Sequence, residues 1–359
     1  MYLGSKYKRE EEFIVINDND IDLKPINFKL PDIPNDKDIL FNNLQQSEQY
    51  FRKTEFPERL KLLINRISRE VDSKNRNIKS GSKKLIFNDE INREIFRDKE
   101  KYADIHRFIM QEFHRRLHGL WFFNNGIRTY ISGKMYMWLN YWVLDVGLPV
   151  YRDKDRRYFH FLTEAIKDKD CYGILEMTRR KEGKSVRSAF SIIDEMTLPF
   201  NFNRHCGMQS KNDGDAQDLF KKAILGWKNL PFFFQPIHSH LNSDPQNILK
   251  LTANVGQSTE ILELGNWLDY RAAKALAYDS TYLLFYISDE EGKLELVDAQ
   301  ERWAKVKPAL VNPFGEITGK SIHTTTVEDG GMYGFDSFKK LWDGSSYHER
   351  NELGQTKSG

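Results

Sequence analysis

Two short runs in this sequence carry residue types and spacings that could do chemistry on a phosphate. The first is TRRKEGKS at residues 178–185, where Gly183, Lys184 and Ser185 supply the end of a phosphate-binding loop. A bound triphosphate needs backbone N–H groups converging from a tight turn at a helix N-terminus, a lysine for its outer phosphates, and a hydroxyl for Mg2+. Thr178 stands where the usual motif has its first glycine, and Arg179, Arg180, Lys181 and Glu182 fill the loop. That density of positive charge is uncommon. One of these cations could stabilise charge on a transferring phosphoryl group in cis; the alternatives are neutralisation of bound phosphates or contact with DNA. A second Gly-Lys-Ser at 319–321 shows that the tripeptide alone decides nothing. It follows Pro308, Pro313 and Gly315 and precedes IHTTTVEDGG, a poor helix. The first copy has a strand before it and a helix after it, which is the context the chemistry requires.

The second run is acidic. Hydrolysis also needs a carboxylate for Mg2+ at the end of a neighbouring strand and another carboxylate to orient water. Residues 282–288 (YLLFYIS) are apolar without alternation, as in a strand buried on both faces, and they deliver Asp289, Glu290 and Glu291. Asp289 would reach the metal through water and Glu290 would act as base toward the attacking water, with Glu291 competing for that role. Alone, DEEGK also fits a plain acidic turn between two strands. Two histidine pairs carry weaker signals: His114 and His118 lack an adjacent glutamate, and His238 and His240 lack a third ligand, so neither is assigned a metal.

The elements that must position these residues follow from periodicity. Residues 172–177 (YGILEM) form a short strand, and Val186, Ala189, Phe190, Ile193 and Met196 lie on one face of the helix after the loop. A strand over 202–209 and a helix through Ala216, Leu219, Phe220, Ala223, Ile224 and Trp227 continue the alternation, the mark of a parallel α/β sheet. Upstream, Leu60, Leu63, Ile64, Ile67 and Val71 mark a helix, and another over 98–117 would bury Ala103, Phe108, Ile109, Phe113 and Leu117. Between those two helices, SKNRNIKSGSKK is expected to be a loop. The aromatic-rich stretch 119–151 is expected to be mostly core. The first forty residues, rich in Asn, Asp and Pro, suggest an extended, loosely held arm with no assigned fold.

Composition narrows the classes. The chain has 359 residues, enough for a sizeable core, and its 54 Lys and Arg nearly balance 52 Asp and Glu, so any contact with nucleic acid must come from a local patch. Cys171 and Cys206 match no metal spacing, and a reducing, cytosolic compartment is the default. No apolar run is long enough to span a membrane, and MYLGSKYKREEE lacks the stretch of a signal peptide.

With these residues in place, the chain resembles the ATPase half of the large terminase subunit of tailed double-stranded DNA bacteriophages, nearest the versions in crAss-like phages. That family has a variant phosphate loop lacking the first glycine, with an arginine three residues before Gly-Lys, here Arg180. Its aliphatic run ending in Asp-Glu matches residues 282–290, and its Ser/Thr-rich coupling motif matches His323-Thr324-Thr325-Thr326. The resemblance implies an α/β P-loop NTPase with a mainly parallel central sheet flanked by helices, after a mostly helical N-terminal region. It implies ATP as substrate with Mg2+, Ser185 and Asp289 as metal ligands, and catalytic roles for Glu290, Arg180 and Lys184. Thr324, Thr325 and Thr326 would couple hydrolysis to DNA movement. The adenine-side motif is met in part by residues 151–155, so Arg152 joins residues 178–185 in binding ATP, although Asp155 stands where the family has Gln. Implied partners are double-stranded DNA, the portal protein and the small terminase subunit. The chain would act as a homo-oligomeric ring at the portal vertex of the procapsid in host cytoplasm, with a monomer in solution left open.

The expected organisation is an arm at 1–44, a helical region at 45–125, the ATPase domain at 126–335 and a tail or linker at 336–359. Too little chain follows Thr326 for the family's nuclease domain, so nuclease activity is not expected and a motor-only fragment or split gene product is. Two alternatives remain: another P-loop DNA motor such as a helicase, or a non-catalytic virion module that binds nucleotide.

Overall fold

The computed structural model of the protein describes residues 13–17, 25–35, 40–42, 54–74, 80–124, 126–238, 245–254, 261–327, 333–346, 348–352 and 356–358. His240, from one of the histidine pairs, lies outside them. The chain forms two compact units, one of Met1–Glu55 with Phe108–Lys167 and the other of Phe56–Arg107 with Asp168–Gly359.

In chain order the first elements are β1 (Phe13–Asn17), β2 (Pro25–Lys29), β3 (Leu40–Asn42), α1 (Glu58–Lys74), α2 (Ser80–Arg97), α3 (Ala103–His118), β4 (Leu120–Asn124), β5 (Ile127–Ile131), α4 (Gly133–Tyr141) and α5 (Asp153–Lys167). The arm expected to lack a fold contains an antiparallel ribbon of β1 and β2. Its strands are the runs FIVIN and PINFK, which carry Phe and Ile residues of the arm and satisfy their backbone groups by pairing with each other. The polar stretch expected as a loop becomes helical again at Ser80, the start of α2.

On α1 the apolar stripe buries Leu60, Leu63, Ile67 and Val71 as its spacing requires. On α3 the pattern misleads: Leu117 is 40% exposed while Glu112 is fully buried. That carboxylate accepts hydrogen bonds from the hydroxyls of Tyr136 and Tyr141 and from Arg115 Nη1 at 2.8 Å, which compensates its desolvation. The aromatic stretch is core, with Trp121, Phe122, Tyr130, Trp138 and Trp142 all buried.

The second unit is built on β6 (Gly173–Thr178), α6 (Lys184–Met196), β7 (His205–Gln209), α7 (Asp213–Asn229), β8 (Ile237–His238), β9 (Ile248–Asn254), β10 (Ile261–Tyr270), β11 (Leu283–Ser288), α8 (Ala299–Val306), β12 (Lys320–Thr326) and α9 (Tyr333–Asp343). Its sheet has the order β6-β12-β11-β7-β10-β9-β8. All neighbours from β6 to β10 are parallel, and β9 runs antiparallel to both β10 and β8. Helices flank this mainly parallel sheet, the α/β architecture expected from the alternating pattern. Helix α6 and helix α7 pack on each other and on the central strands. Tyr172, Tyr286, Leu294, Trp303 and Phe338 form a core cluster with α8 and α9.

The phosphate-loop strand and the acidic strand are separated by β12. They are not adjacent, as the expected neighbouring-strand arrangement would have them. Two glycines allow the inserted strand to sit there. A Cβ on Gly173 would lie 1.9 Å from Ser321 O, and one on Gly319 would lie 2.2 Å from Leu283 O. The second Gly-Lys-Ser is therefore structural. Gly319 lets the chain enter between two strands, Lys320 Nζ donates to Asp168 O at 2.6 Å, and Ser321 N donates to Tyr172 O at 2.7 Å.

We expect Gly319→Ala to destabilise the fold by about 2 kcal/mol or more, read as a lowered urea midpoint, because backbone must move to admit the methyl group. Lys320→Ala should leave ATP affinity at the wild-type value. An unchanged midpoint for the first, or a loss of ATP binding for the second, would reject the structural role of this copy.

Candidate functional site

The phosphate loop leaves β6 at Thr178 and enters α6 at Lys184. Two residues take positive φ to make the turn: Lys181 at 64° and Gly183 at 86°. Gly183 is the N-cap of α6 and offers no side chain to the helix, so the N–H groups of the first turn keep no side-chain cap. These groups, with the positive end of the helix dipole, form an anion-binding surface. The loop is braced from below. Arg187, buried on α6, donates from Nη1 to Glu182 O at 2.8 Å and from Nη2 to the Glu176 carboxylate on β6. Burial raises the Glu176 pKa despite this guanidinium.

Lysine 184 is buried and its Nζ lies 2.7 Å from Glu290 Oε1 and 2.7 Å from Thr326 Oγ1. The Thr326 hydroxyl lies 3.2 Å and 3.1 Å from the two oxygens of Glu290, so it accepts from the lysine and donates to the carboxylate. On the far side, Lys293 Nζ stands 2.8 Å from Glu290 Oε2. Glu290 is thus held between two ammonium groups. Burial would raise its pKa, but the hydrogen bonds and charges of Lys184 and Lys293 outweigh burial and bring it below the ordinary value. Its backbone is left-handed, φ 55°, a conformation a residue with a Cβ adopts at some cost and one found at functional turns.

Asp289 closes β11 one residue earlier and its surroundings differ. It is buried, and burial raises its pKa against hydrogen bonds from the hydroxyls of Ser185 and Thr324. Its main chain is fixed at both ends, N–H to Gln209 O at 3.0 Å and carbonyl from Ser210 Oγ at 3.1 Å, by the neighbouring strand β7. Glu291 turns elsewhere. It is fully buried and paired with His323 Nδ1 at 2.8 Å. Thr325 Oγ1 accepts from Gly292 N at 3.0 Å and so supports the turn that follows Glu290.

The structure therefore gathers Lys184, Ser185, Asp289, Glu290, Thr324 and Thr326 at the carboxyl ends of β6, β12 and β11. Arg179, Arg180 and Lys181 are exposed, and Arg179 Nη2 lies 3.4 Å from Glu182 Oε1. Arg152 lies in the first unit, where Asp155 takes its guanidinium at 2.6 Å and 3.0 Å; its role toward ATP stays an expectation from the resemblance. His114 and His118 have ring centroids 4.6 Å apart, and no group of three His, Cys, Asp or Glu among the described residues could hold a metal ion. No helix among the described residues is long and apolar enough to cross a membrane.

Three residues that hold this site together escape sequence reasoning. Lys293 stands three residues after Glu290, a spacing that could have signalled an ion pair. Glu176 and Arg187 sit on a strand and a helix joined by the loop, and nothing in their spacing indicates that they meet.

No family model matches this chain, and no curated protein matches it. Among solved structures, the HK97 bacteriophage large terminase aligns with 12% identity and a TM-score of 0.40 over 58% of this chain. The aligned part covers 39% of that terminase chain.

Proposed function

We propose that this chain is the ATP-hydrolysing motor of a viral DNA-packaging terminase. The observation that carries the hydrolytic part is the contact of Lys184 with Glu290 across the hydroxyl of Thr326. It brings the lysine of the Gly-Lys-Ser loop, a carboxylate and a threonine hydroxyl to one point, which supports roles for them in binding phosphate, accepting a proton and coupling. The packaging role, with double-stranded DNA, a portal protein and a small terminase subunit as partners, rests on the ordered motifs of the sequence.

Magnesium fits the oxygen donors present. Ser185 offers a hydroxyl beside the buried carboxylate of Asp289, whose pKa burial raises against the hydrogen bonds of Ser185 and Thr324, and an oxygen pair of this kind suits a hard divalent cation. These two residues would hold the ion, which neutralises charge on the phosphates when bound. The protein's own groups do the rest. Lys184 exchanges the Glu290 carboxylate for the outer phosphates of ATP, which carry more charge. Glu290, released on that side and still hydrogen-bonded to Thr326, accepts a proton from water as the water oxygen bonds to the γ-phosphorus and the bond to the bridging oxygen breaks. The products are ADP and inorganic phosphate. Glu291 cannot serve while it is buried against His323. Thr326 touches both the lysine and the base, so loss of the γ-phosphate changes its partners and shifts the end of β12. That is a route from hydrolysis to movement. An arginine of the loop, Arg180 by the resemblance, would add positive charge in the transition state.

Lys184→Ala is expected to lower steady-state phosphate release by a factor on the order of 100 or more, by removing both the phosphate ligand and the partner of Glu290. Wild-type turnover in that variant would reject the site. Glu290→Gln should bind ATP with ordinary affinity and hydrolyse it about 100- to 10,000-fold more slowly, because only proton acceptance is removed. If Glu291→Gln shows that phenotype and Glu290→Gln does not, the base is misassigned.

A further inference from the structure

A cleft of about 1000 Å3 adjoins the phosphate loop in the second unit. Four separate loops line it, and each contributes a cation: Arg180 from the phosphate loop, Lys211 after β7, Lys274 after β10, and Lys293 from the turn after β11. Asp213 and Glu295 are the acidic groups of its wall. Asp213 Oδ1 accepts from the backbone N–H of Ala273 at 3.2 Å, and Lys211 Nζ is 3.6 Å from Asp215. In a chain whose formal net charge is only +2, this excess of cations is a local feature.

We propose that the cleft takes the phosphodiester backbone of a nucleic acid, and that Lys293 reports its occupancy to Glu290. The proposal rests on Glu290 being the base. A single phosphate is better served by convergent N–H groups, as at the N-terminus of α6; cations distributed over four loops suit phosphates strung along a polymer. Lys293 belongs to both sites. It lines the cleft, and its Nζ is 2.8 Å from Glu290 Oε2. An ammonium group on a flexible four-carbon stem turns toward the stronger anion within reach. A backbone phosphate in the cleft therefore competes with Glu290 for Lys293, just as the phosphates of ATP compete with Glu290 for Lys184. Only when both lysines are drawn away is the carboxylate free of cations. Hydrolysis is then slow with nucleotide alone, while Lys293 still holds one side of Glu290, and reaches its full rate when nucleic acid fills the cleft as well.

The test uses the full chain, with phosphate release measured with and without duplex DNA, and with binding of a short fluorescein-labelled duplex followed by anisotropy at fixed salt. Duplex should raise wild-type turnover about tenfold, within the usual range of a coupling between two sites. The double variant Lys211→Glu, Lys274→Glu should lose about tenfold or more in duplex affinity while its DNA-free turnover stays at the wild-type value. Lys293→Met should raise DNA-free turnover toward the stimulated rate and respond little to added duplex. Unchanged duplex affinity in the double variant overturns the cleft assignment, whatever the turnover. A Lys293→Met variant that is slower than wild type without DNA, or is stimulated as wild type is, overturns the link to Glu290. If no variant and no condition releases phosphate, the assignment of Glu290 as base fails and the link fails with it, while anisotropy still decides the cleft.

Discussion

A lysine and a glutamate that stand more than a hundred residues apart in the chain share one hydroxyl, and the geometry of the second unit is arranged around that meeting. Lys184 is too buried to be satisfied by water, so without phosphate it needs an anion, and Glu290 supplies it at 2.7 Å. The same pairing keeps the carboxylate ionised. For the two to meet over Thr326, β12 must lie between the phosphate-loop strand and the acidic strand. That placement in turn requires Gly173 and Gly319, where any side chain would strike a neighbouring backbone. A stability requirement of the sheet and a positioning requirement of the chemistry are met by the same strand.

Beneath this contact lies a second layer of buried polar pairs that fixes the loops carrying it. Arg187 ties the carbonyl of Glu182 to Glu176, so the phosphate loop is held from the helix it leads into and the strand it leaves. His323 and Glu291 pair under the turn that presents Glu290, and Arg302, fully buried on α8, donates to Ser288 Oγ at 3.0 Å at the end of β11. Buried groups of this kind are costly when a partner is lost, so they hold loop backbones to one conformation. Preorganised loops let the surface groups exchange partners without refolding the turns.

Much of this site was legible in the sequence because backbone context and local pattern are local properties. The strand before TRRKEGKS, the helix after it and the apolar run before Asp289 each announce themselves within a window of ten or so residues, and their elements stand where the pattern puts them. Strand order was not legible. Nothing in the spacing of β6, β11 and β12 says that the last in sequence enters between the other two; that is a matter of long-range pairing, visible only through glycines whose close contacts need coordinates. The roles of Lys293, Glu176 and Arg187 were hidden for the same reason. Glu112 was missed differently: a charged residue on a helix face is ordinarily solvated, and only the two tyrosine hydroxyls and Arg115 around it make burial tolerable. The ribbon of β1 and β2 escaped because its strands, FIVIN and PINFK, are two five-residue runs set in an arm whose overall composition is rich in Asn, Asp and Pro.

The exchange of partners at Lys184 is directly visible in a structure of the full chain with a non-hydrolysable ATP analogue and Mg2+. The account requires the Lys184 ammonium on the outer phosphates, Ser185 and Asp289 facing the metal, and Glu290 separated from Lys184 but still within hydrogen-bond distance of Thr326. Phosphates seated at Gly319 instead of Gly183, or a bound analogue with the Lys184 to Glu290 contact intact, would contradict it.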